Sequence, residues 1–309
     1  MTSKKLFIPI DPLSHGGGST FIVYLLPYLK NYVTYNILDD WDIALMIGAE
    51  TSIDDINNHV IPKKEKGAKI LFRLNGIKHT RMPLGIERMK AMRDVSDLLI
   101  YQSKFTQSEA EGLWGVHGNS RIIYNGVDVE MFRPRIPEVH YERAFDFLYC
   151  EYSHKPHKRA QEAFALMQKI IEKYPQSTLT IIGKFPSEWV NQNFGLPQQN
   201  VKFLGRLHHN IMPTILNSHK ILLFPSVDEP CSNLVLEAMA SEMIIIHKNS
   251  GCMMELCEDT QVIWTHDLNC VDEAFKKIGD HEGRLRVHRY FTKERMARDY
   301  SGALKELDG

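Results

Sequence analysis

Two glutamates, Glu229 and Glu237, stand eight positions apart in FPSVDEPCSNLVLEAMA, residues 224–240. The apolar run KILLFP ahead of them reads as a strand, and a helical pattern begins near Ser232 or Asn233, which puts Glu229 in a loop and Glu237 about one turn into the helix. A carboxylate near a helix N-terminus is favoured by the macrodipole, and that accounts for one acid. Two at this spacing suit a polyol, because ionised carboxylates are pure hydrogen-bond acceptors and a ribose and a sugar both offer hydroxyls. Free backbone amides at the helix start would meanwhile suit a phosphate. On spacing alone, two surface glutamates remain the competing reading.

Other segments could carry compatible chemistry. SHKPHKRAQEAF, residues 153–164, gathers Lys155, Lys158 and Arg159 where a strand passes into a helix; such cations are natural partners of a diphosphate, and a solvated basic helix start is the alternative. His154 and His157 in it read as surface residues. SHGGGST, residues 14–20, places successive glycines before a helix, which lets the backbone approach an anion. Gly16 and Gly18 fit G-x-G, but Phe21 follows where a dinucleotide fingerprint needs glycine, and no Walker lysine appears. In IIYNGVDVEMFRP, residues 122–134, Asn125-Gly126 is a turn signal. DDWD contains an Asp-x-Asp, Asp40 and Asp42, of the type that holds a divalent metal in another class of sugar-transfer enzyme; because Asp42 directly precedes the run DIALMI, a polar loop is the favoured reading. No zinc motif is present, and the five cysteines include no Cys-x-x-Cys pair, so buried reduced thiols are expected.

The elements that must position these residues follow a regular plan. Apolar runs alternate with helical patterns: KLFIPI, TYNIL, DIALMI, KILFRL, DLLIYQ and RIIYN in the first half, then FDFLYC, TLTIIG, VKFLG, KILLFP, MIIIH and QVIWT in the second. This predicts an α/β protein with two doubly wound parallel sheets. Helices are expected over residues 21–29, 87–93, 159–173 and 269–283, and again from about residue 291, with Thr292 as N-cap. The segment RPRIPEVHYERA carries two prolines and mixed charge, which suits a linker and sets a domain boundary near residue 140, giving domains 1–140 and 141–290. Ligands of open parallel sheets bind outside the carboxyl ends of the strands, where the glycine, lysine and glutamate loops fall.

With 309 residues, 43% of them hydrophobic, the chain can bury two cores. Thirty-seven basic against thirty-eight acidic residues leave no nucleic-acid footprint. No apolar run approaches the roughly 18 to 20 residues of a membrane span, and the N-terminus has no signal-peptide core; a cytoplasmic protein, compatible with peripheral membrane contact, is expected.

Together these segments resemble the retaining nucleotide-sugar glycosyltransferases of family 4, which have the GT-B fold of two Rossmann-like domains facing across a cleft. The likeness is carried by YNGVDVEMFRP, by NVKFLGRL, and by LLFPSVDEPCSNLVLEAMAS followed by NSGCMMEL, in the family's order. The glutamate pair matches the family's signature of two glutamates separated by seven residues. The resemblance implies that Glu237 bonds the donor ribose and that Glu229 contacts the donor sugar near the reacting centre. It implies further that Lys158, with Arg159 beside it, meets the diphosphate; that Ser232, Asn233 and Leu234 present amides to the diphosphate or sugar; that Gly17 and Gly18 close over the donor; and that Leu207 lies by the nucleobase. His79 in RLNGIKHTR is the nearest counterpart of the family's acceptor-side histidine, with Asn75 and Arg81 in the same loop. The family's diphosphate arginine has no counterpart in CEYSHKPHK, Ser232 replaces a common glycine, and Gly251-Cys252 stands for a Gly-Gly.

The activity so implied is transfer from a nucleotide diphosphate sugar, most simply UDP- or GDP-linked, to a glycan, lipid-linked or protein-linked hydroxyl, with retention and with no cofactor or metal. Closure of the domains would exclude water, and the segment from about residue 291 would pack back on the first domain. The rivals are a metal-dependent GT-A transferase using Asp40 and Asp42, and a non-catalytic nucleotide-sugar-binding protein.

Overall fold

Among the described residues there are twelve strands, six to a sheet, and both sheets are parallel throughout. Eleven of the expected apolar runs hold one, while the strand expected in TYNIL lies ahead of it at Tyr32–Thr34 and ends on its first residue, because Asn36 and Asp39 draw the residues after Thr34 into side-chain hydrogen bonds of a turn. The computed structural model describes residues 4–12, 17–29, 32–77, 83–134, 146–150, 156–185, 187–265 and 267–308. The first sheet contains β1 (Lys5–Phe7), β2 (Tyr32–Thr34), β3 (Ile43–Ile47), β4 (Lys69–Arg73), β5 (Leu98–Tyr101) and β6 (Ser120–Ile122) in the order β2-β1-β3-β4-β5-β6. The second contains β7 (Asp146–Cys150), β8 (Thr178–Ile182), β9 (Val201–Gly205), β10 (Ile221–Phe224), β11 (Ile244–His247) and β12 (Val262–Ile263) in the order β12-β11-β10-β7-β8-β9. β3, β5, β10 and β11 are buried along their whole length. This explains the unbroken apolar sequence of β3, β5 and β10 and of Ile244–Ile246 in β11, since helices cover both faces of a parallel sheet.

In the second sheet the strand order reverses between β7 and β10, which pair directly at Ile221 with Phe147. A doubly wound sheet opens its ligand crevice beyond the carboxyl ends of the two strands at such a point. The lysine loop follows β7 and the glutamate loop follows β10.

The chain divides into two compact units, one of Met1–Gly126, Pro230–Asn233 and Phe291–Gly309, the other of Val127–Glu229 and Leu234–Tyr290. The first crossing is at Gly126, ahead of the proline-bearing segment near residue 140. In the first unit, the helices Gly17–Leu25 and Lys293–Asp308 cover one sheet face through Phe21, Ile22, Leu25, Met296, Ala297, Tyr300 and Leu304. The Phe21 and Tyr300 ring centroids are 4.9 Å apart. Met89, Met92 and Ala110, from the helices Pro83–Val95 and Lys104–Trp114, bury the other face. In the second unit the helix Ala160–Lys173 buries Ala163, Phe164, Met167 and Ile170 at helical spacing. Phe164, Met167 and Ile170 each contribute roughly 1.5–3 kcal/mol of transfer free energy.

Two helices differ from expectation for local reasons. The helix Gly17–Leu25 tightens into a 3₁₀ turn at Leu26–Tyr28, where Pro27 removes a backbone donor. The helical stretch expected over residues 269–283 is instead Asn269–Lys277 and Glu282–Tyr290. Gly279 breaks it at φ +92°, and Asp280 Oδ1 accepts from Glu282 N at 2.8 Å to start the second helix. Thr292 caps the last helix, accepting at Oγ1 from Arg295 N at 3.2 Å.

Candidate active site

The two loops at the switch point of the second unit meet through an ion pair. Lys158 closes the short turn Pro156–Lys158, and its ammonium lies 2.9 Å from Glu229 Oε1, with only 23% and 10% of the two side chains exposed. The backbones are joined as well: Val227 N donates to His157 O at 2.9 Å, and Tyr149 Oη donates to Lys158 O at 3.3 Å. A charge pair this sheltered is held by its surroundings, since desolvation opposes it.

The glutamate loop is pinned from behind. Asp228 has φ +58°, and its N–H donates to Ser250 Oγ at 3.0 Å while that hydroxyl donates to Asp228 Oδ1 at 3.2 Å. Cys252 N donates to Glu229 O at 2.9 Å. Gly251 has φ +63°, and a Cβ there would lie 2.5 Å from Glu229 N and 2.6 Å from Glu229 O. Only glycine lets that backbone pass.

Glu237 lies on the helix Asn233–Ala240 and is 4% exposed. Its Oε1 is 2.8 Å from His209 Nε2, and the imidazole packs on Phe132 with centroids 5.5 Å apart. The hydrogen bond to Glu237 raises the His209 pKa above its ordinary value, and partial burial opposes that rise. His209 was not among the sequence candidates, because it sits 28 residues from Glu237 in a turn with no helical or metal-ligand spacing.

The remaining sequence candidates fall as follows. Arg159 is exposed, takes a left-handed backbone at φ 48°, and pairs with Glu162 at 2.7 Å on its own helix, so that Lys158 rather than Arg159 pairs with Glu229. Leu207 is half-buried and follows Gly205 and Arg206, which with Gly183, Lys184 and Phe185 line a shallow, open depression beyond β8 and β9. Leu234 is half-buried at the helix start of the second unit. Ser232 and Asn233 belong to the first unit, as do Gly17 and Gly18 at the start of the first helix. A Cβ at Gly17 would be 3.6 Å from Asn233 Nδ2. His79, Arg81 and Lys155 lie outside the described residues. Asn75 joins a buried cluster with Arg73, Gln102 and Asn125.

The acidic loop DDWD is organised by local contacts. Asp39 accepts from Thr34 Oγ1 at 2.6 Å and Asn36 Nδ2 at 3.1 Å, Asp42 Oδ2 accepts from Lys5 N at 2.9 Å, and Lys63 Nζ donates to the carbonyls of Ile37 and Asp39. The Thr34 bond foremost holds the Asp39 carboxyl below its usual pKa. Among the described residues no group of three or more His, Cys, Asp or Glu side chains could hold a metal ion. The five cysteines are buried and free, and no helix among the described residues is long and apolar enough to cross a membrane.

Comparison with solved structures matches the whole chain. Sucrose-phosphate synthase from Thermosynechococcus elongatus superposes with a TM-score of 0.77 at 16% identity, covering 99% of each chain. HepE of Anabaena in complex with UDP-glucose gives 0.79 at 15% identity, covering 98% of this chain and 99% of that one. The fold is GT-B. Residues 146–279, which hold Lys158, Glu229 and Glu237, match the family model described as Glycosyl transferases group 1. A GDP-mannose-dependent monoacylated alpha-(1-6)-phosphatidylinositol monomannoside mannosyltransferase of Corynebacterium glutamicum is 26% identical over 207 residues, which is 61% of this chain. The match spans 54% of that relative's length.

Proposed function

We propose that this protein is a glycosyltransferase that moves a sugar from a nucleotide diphosphate sugar to an acceptor hydroxyl. The observation that carries the reading is the Lys158–Glu229 pair at the switch point of the second sheet, within a stretch that matches group 1 glycosyltransferases. Glu237 binds the donor ribose, and the nucleobase lies over the open depression lined by Phe185 and Arg206, next to Leu207. Relatives named for GDP-mannose use and solved with UDP-glucose favour a GDP- or UDP-sugar. The lipid named as the mannosyltransferase's substrate adds weight to a lipid-linked or glycan acceptor.

In this mechanism the acceptor oxygen forms a bond to the anomeric carbon as the bond from that carbon to the diphosphate breaks. The acceptor's proton passes to the departing phosphate oxygen. Attack from the leaving-group face gives retention. Lys158 turns from Glu229 to the diphosphate and stabilises the charge that grows there, so no metal is needed, and the amides of residues 232–234 meet the donor sugar. Glu229 positions the sugar and stabilises developing positive charge at the anomeric carbon.

A panel of UDP, GDP, ADP and their sugars in thermal unfolding tests the reading. A ligand at about 100 times its Kd adds about 2.7 kcal/mol to apparent stability, and Glu237→Ala is expected to abolish that gain and the turnover. Turnover in EDTA is expected to continue, and NMR of the product is expected to show the donor's anomeric configuration. If no nucleotide in the panel raises the unfolding temperature of the wild type, the proposal fails.

A further inference from the structure

Arg73 ends β4 and is 3% exposed, at the carboxyl edge of the first sheet. A guanidinium carries five donors and no acceptor, so every amide that meets it must turn its oxygen inward. Nη1 donates to Asn75 Oδ1 at 2.9 Å, and Nη2 donates to Gln102 Oε1 at 2.6 Å and to Asn125 Oδ1 at 2.8 Å. Gln102 Nε2 then donates to Leu74 O at 2.9 Å and Asn75 Oδ1 at 3.1 Å. The Phe21 ring lies 4.3 Å from the guanidinium carbon. With the Asn125 oxygen taken by Arg73, its Nδ2 faces the other way and donates to Cys231 O at 2.9 Å and Asn233 Oδ1 at 2.8 Å. The Asn125 backbone N–H adds a contact to Cys231 Sγ at 3.4 Å. All of these residues belong to one unit, which takes in Pro230–Asn233 between two stretches of the other.

This arrangement places a buried cation behind a short loop. Burial pulls the Arg73 pKa below its ordinary value, and apolar packing would hold a loop with less desolvation. What packing would not do is fix the direction of one backbone carbonyl, which a donor of set orientation does. We infer that Asn125, its amide oriented by Arg73, is a positioning residue that sets the backbone of residues 231–233 for sugar transfer. The inference rests on the glycosyltransferase reading above, in which that segment presents amides to the donor.

Asn125→Asp is the test. Aspartate keeps the shape, still accepts from Arg73 and gives that cation a counter-charge, but ionised it donates nothing. The Asn233 side-chain amide can turn to offer its Nδ2, whereas the Cys231 carbonyl cannot turn and is left facing an oxygen. The variant is expected to unfold at or above the wild-type temperature. Amide exchange in a peptide spanning residues 229–236 rises at least tenfold, and kcat falls at least tenfold, while calorimetric affinity for UDP and GDP stays within threefold. A purely structural Asn125 predicts near-wild-type turnover in this stable variant. Unchanged exchange, or a kcat within twofold of wild type, overturns the inference. A wild-type protein that binds no nucleoside diphosphate and turns over no nucleotide sugar overturns the glycosyltransferase reading and the transfer role with it. The exchange measurement then decides by itself whether Asn125 holds the segment.

Discussion

His209 and Glu237 form the pair whose chemistry is most open to measurement, because one partner titrates near neutral pH. An ordinary histidine has a pKa of about 6.5, and the hydrogen bond to Glu237 lifts that of His209 in the folded protein. A raised pKa means that the folded state holds the proton more tightly. The pair's stabilisation is therefore full below about pH 6.5 and is lost as pH rises through the higher folded value. His209→Gln keeps a donor and loses the charge. The unfolding temperature of wild type is expected to exceed that of the variant by more at pH 6 than at pH 8.5, and a gap that does not change with pH would sink this assignment. Glu229 makes a second prediction at this scale. Glu229→Gln removes the charge opposite Lys158; if the carboxylate acts on the anomeric carbon, kcat is expected to fall about a hundredfold or more, about 2.7 kcal/mol at 1.36 kcal/mol per tenfold. Nucleoside diphosphate affinity is expected to hold or rise, since Lys158 no longer has to leave a carboxylate. Comparable losses of UDP or GDP affinity and kcat would place Glu229 in binding alone.

At the scale of elements, the glutamate loop depends on a turn that the sequence shows only as Gly-Cys. Gly251→Ala combines a left-handed backbone, roughly 1–2 kcal/mol for an L-residue, with a Cβ 2.5 Å from the Glu229 backbone nitrogen. Gly195→Ala in the same unit is the control, because its φ is +57° and a Cβ there meets nothing within 4 Å. Both variants are expected to lose thermal stability. Only Gly251→Ala is expected to lose turnover as well, by tenfold or more, and equal turnover in the two would mean that the turn does not set Glu229. The strands were readable because a covered parallel sheet demands unbroken apolar runs, and the order of loops after strands followed from alternation with helices. The pairs that define the candidate site were not readable. His209 lies 28 positions from Glu237, Asn125 lies 106 from Cys231, and Arg159, adjacent to Lys158, turns instead to Glu162 through a left-handed residue that composition does not mark. Such contacts are products of topology, and periodicity carries no trace of them.

At the scale of the whole molecule, the chain order and the cooperative units are different things. The first unit is closed by the last helix of the chain, whose Met296, Ala297, Tyr300, Ala303 and Leu304 bury against the helix Gly17–Leu25 and the strands β1 and β3. Leu304 is 4% exposed. Truncating a buried leucine to alanine costs about 2–5 kcal/mol, depending on how far the site can collapse. If the units are cooperative as their contacts divide them, Leu304→Ala raises amide exchange in β1, β3 and the helix Gly17–Leu25, all more than 250 residues away in sequence. Exchange in the helix Ala160–Lys173 and in β10, much closer along the chain, is expected to stay at its wild-type rate. Exchange rising equally in both sets would mean that the chain unfolds as one body. Nucleoside diphosphate binding gives an independent reading of the same point. Its residues in the second unit are untouched by this substitution, so calorimetric affinity for UDP or GDP in Leu304→Ala is expected to remain within twofold of wild type at temperatures where the first unit stays folded.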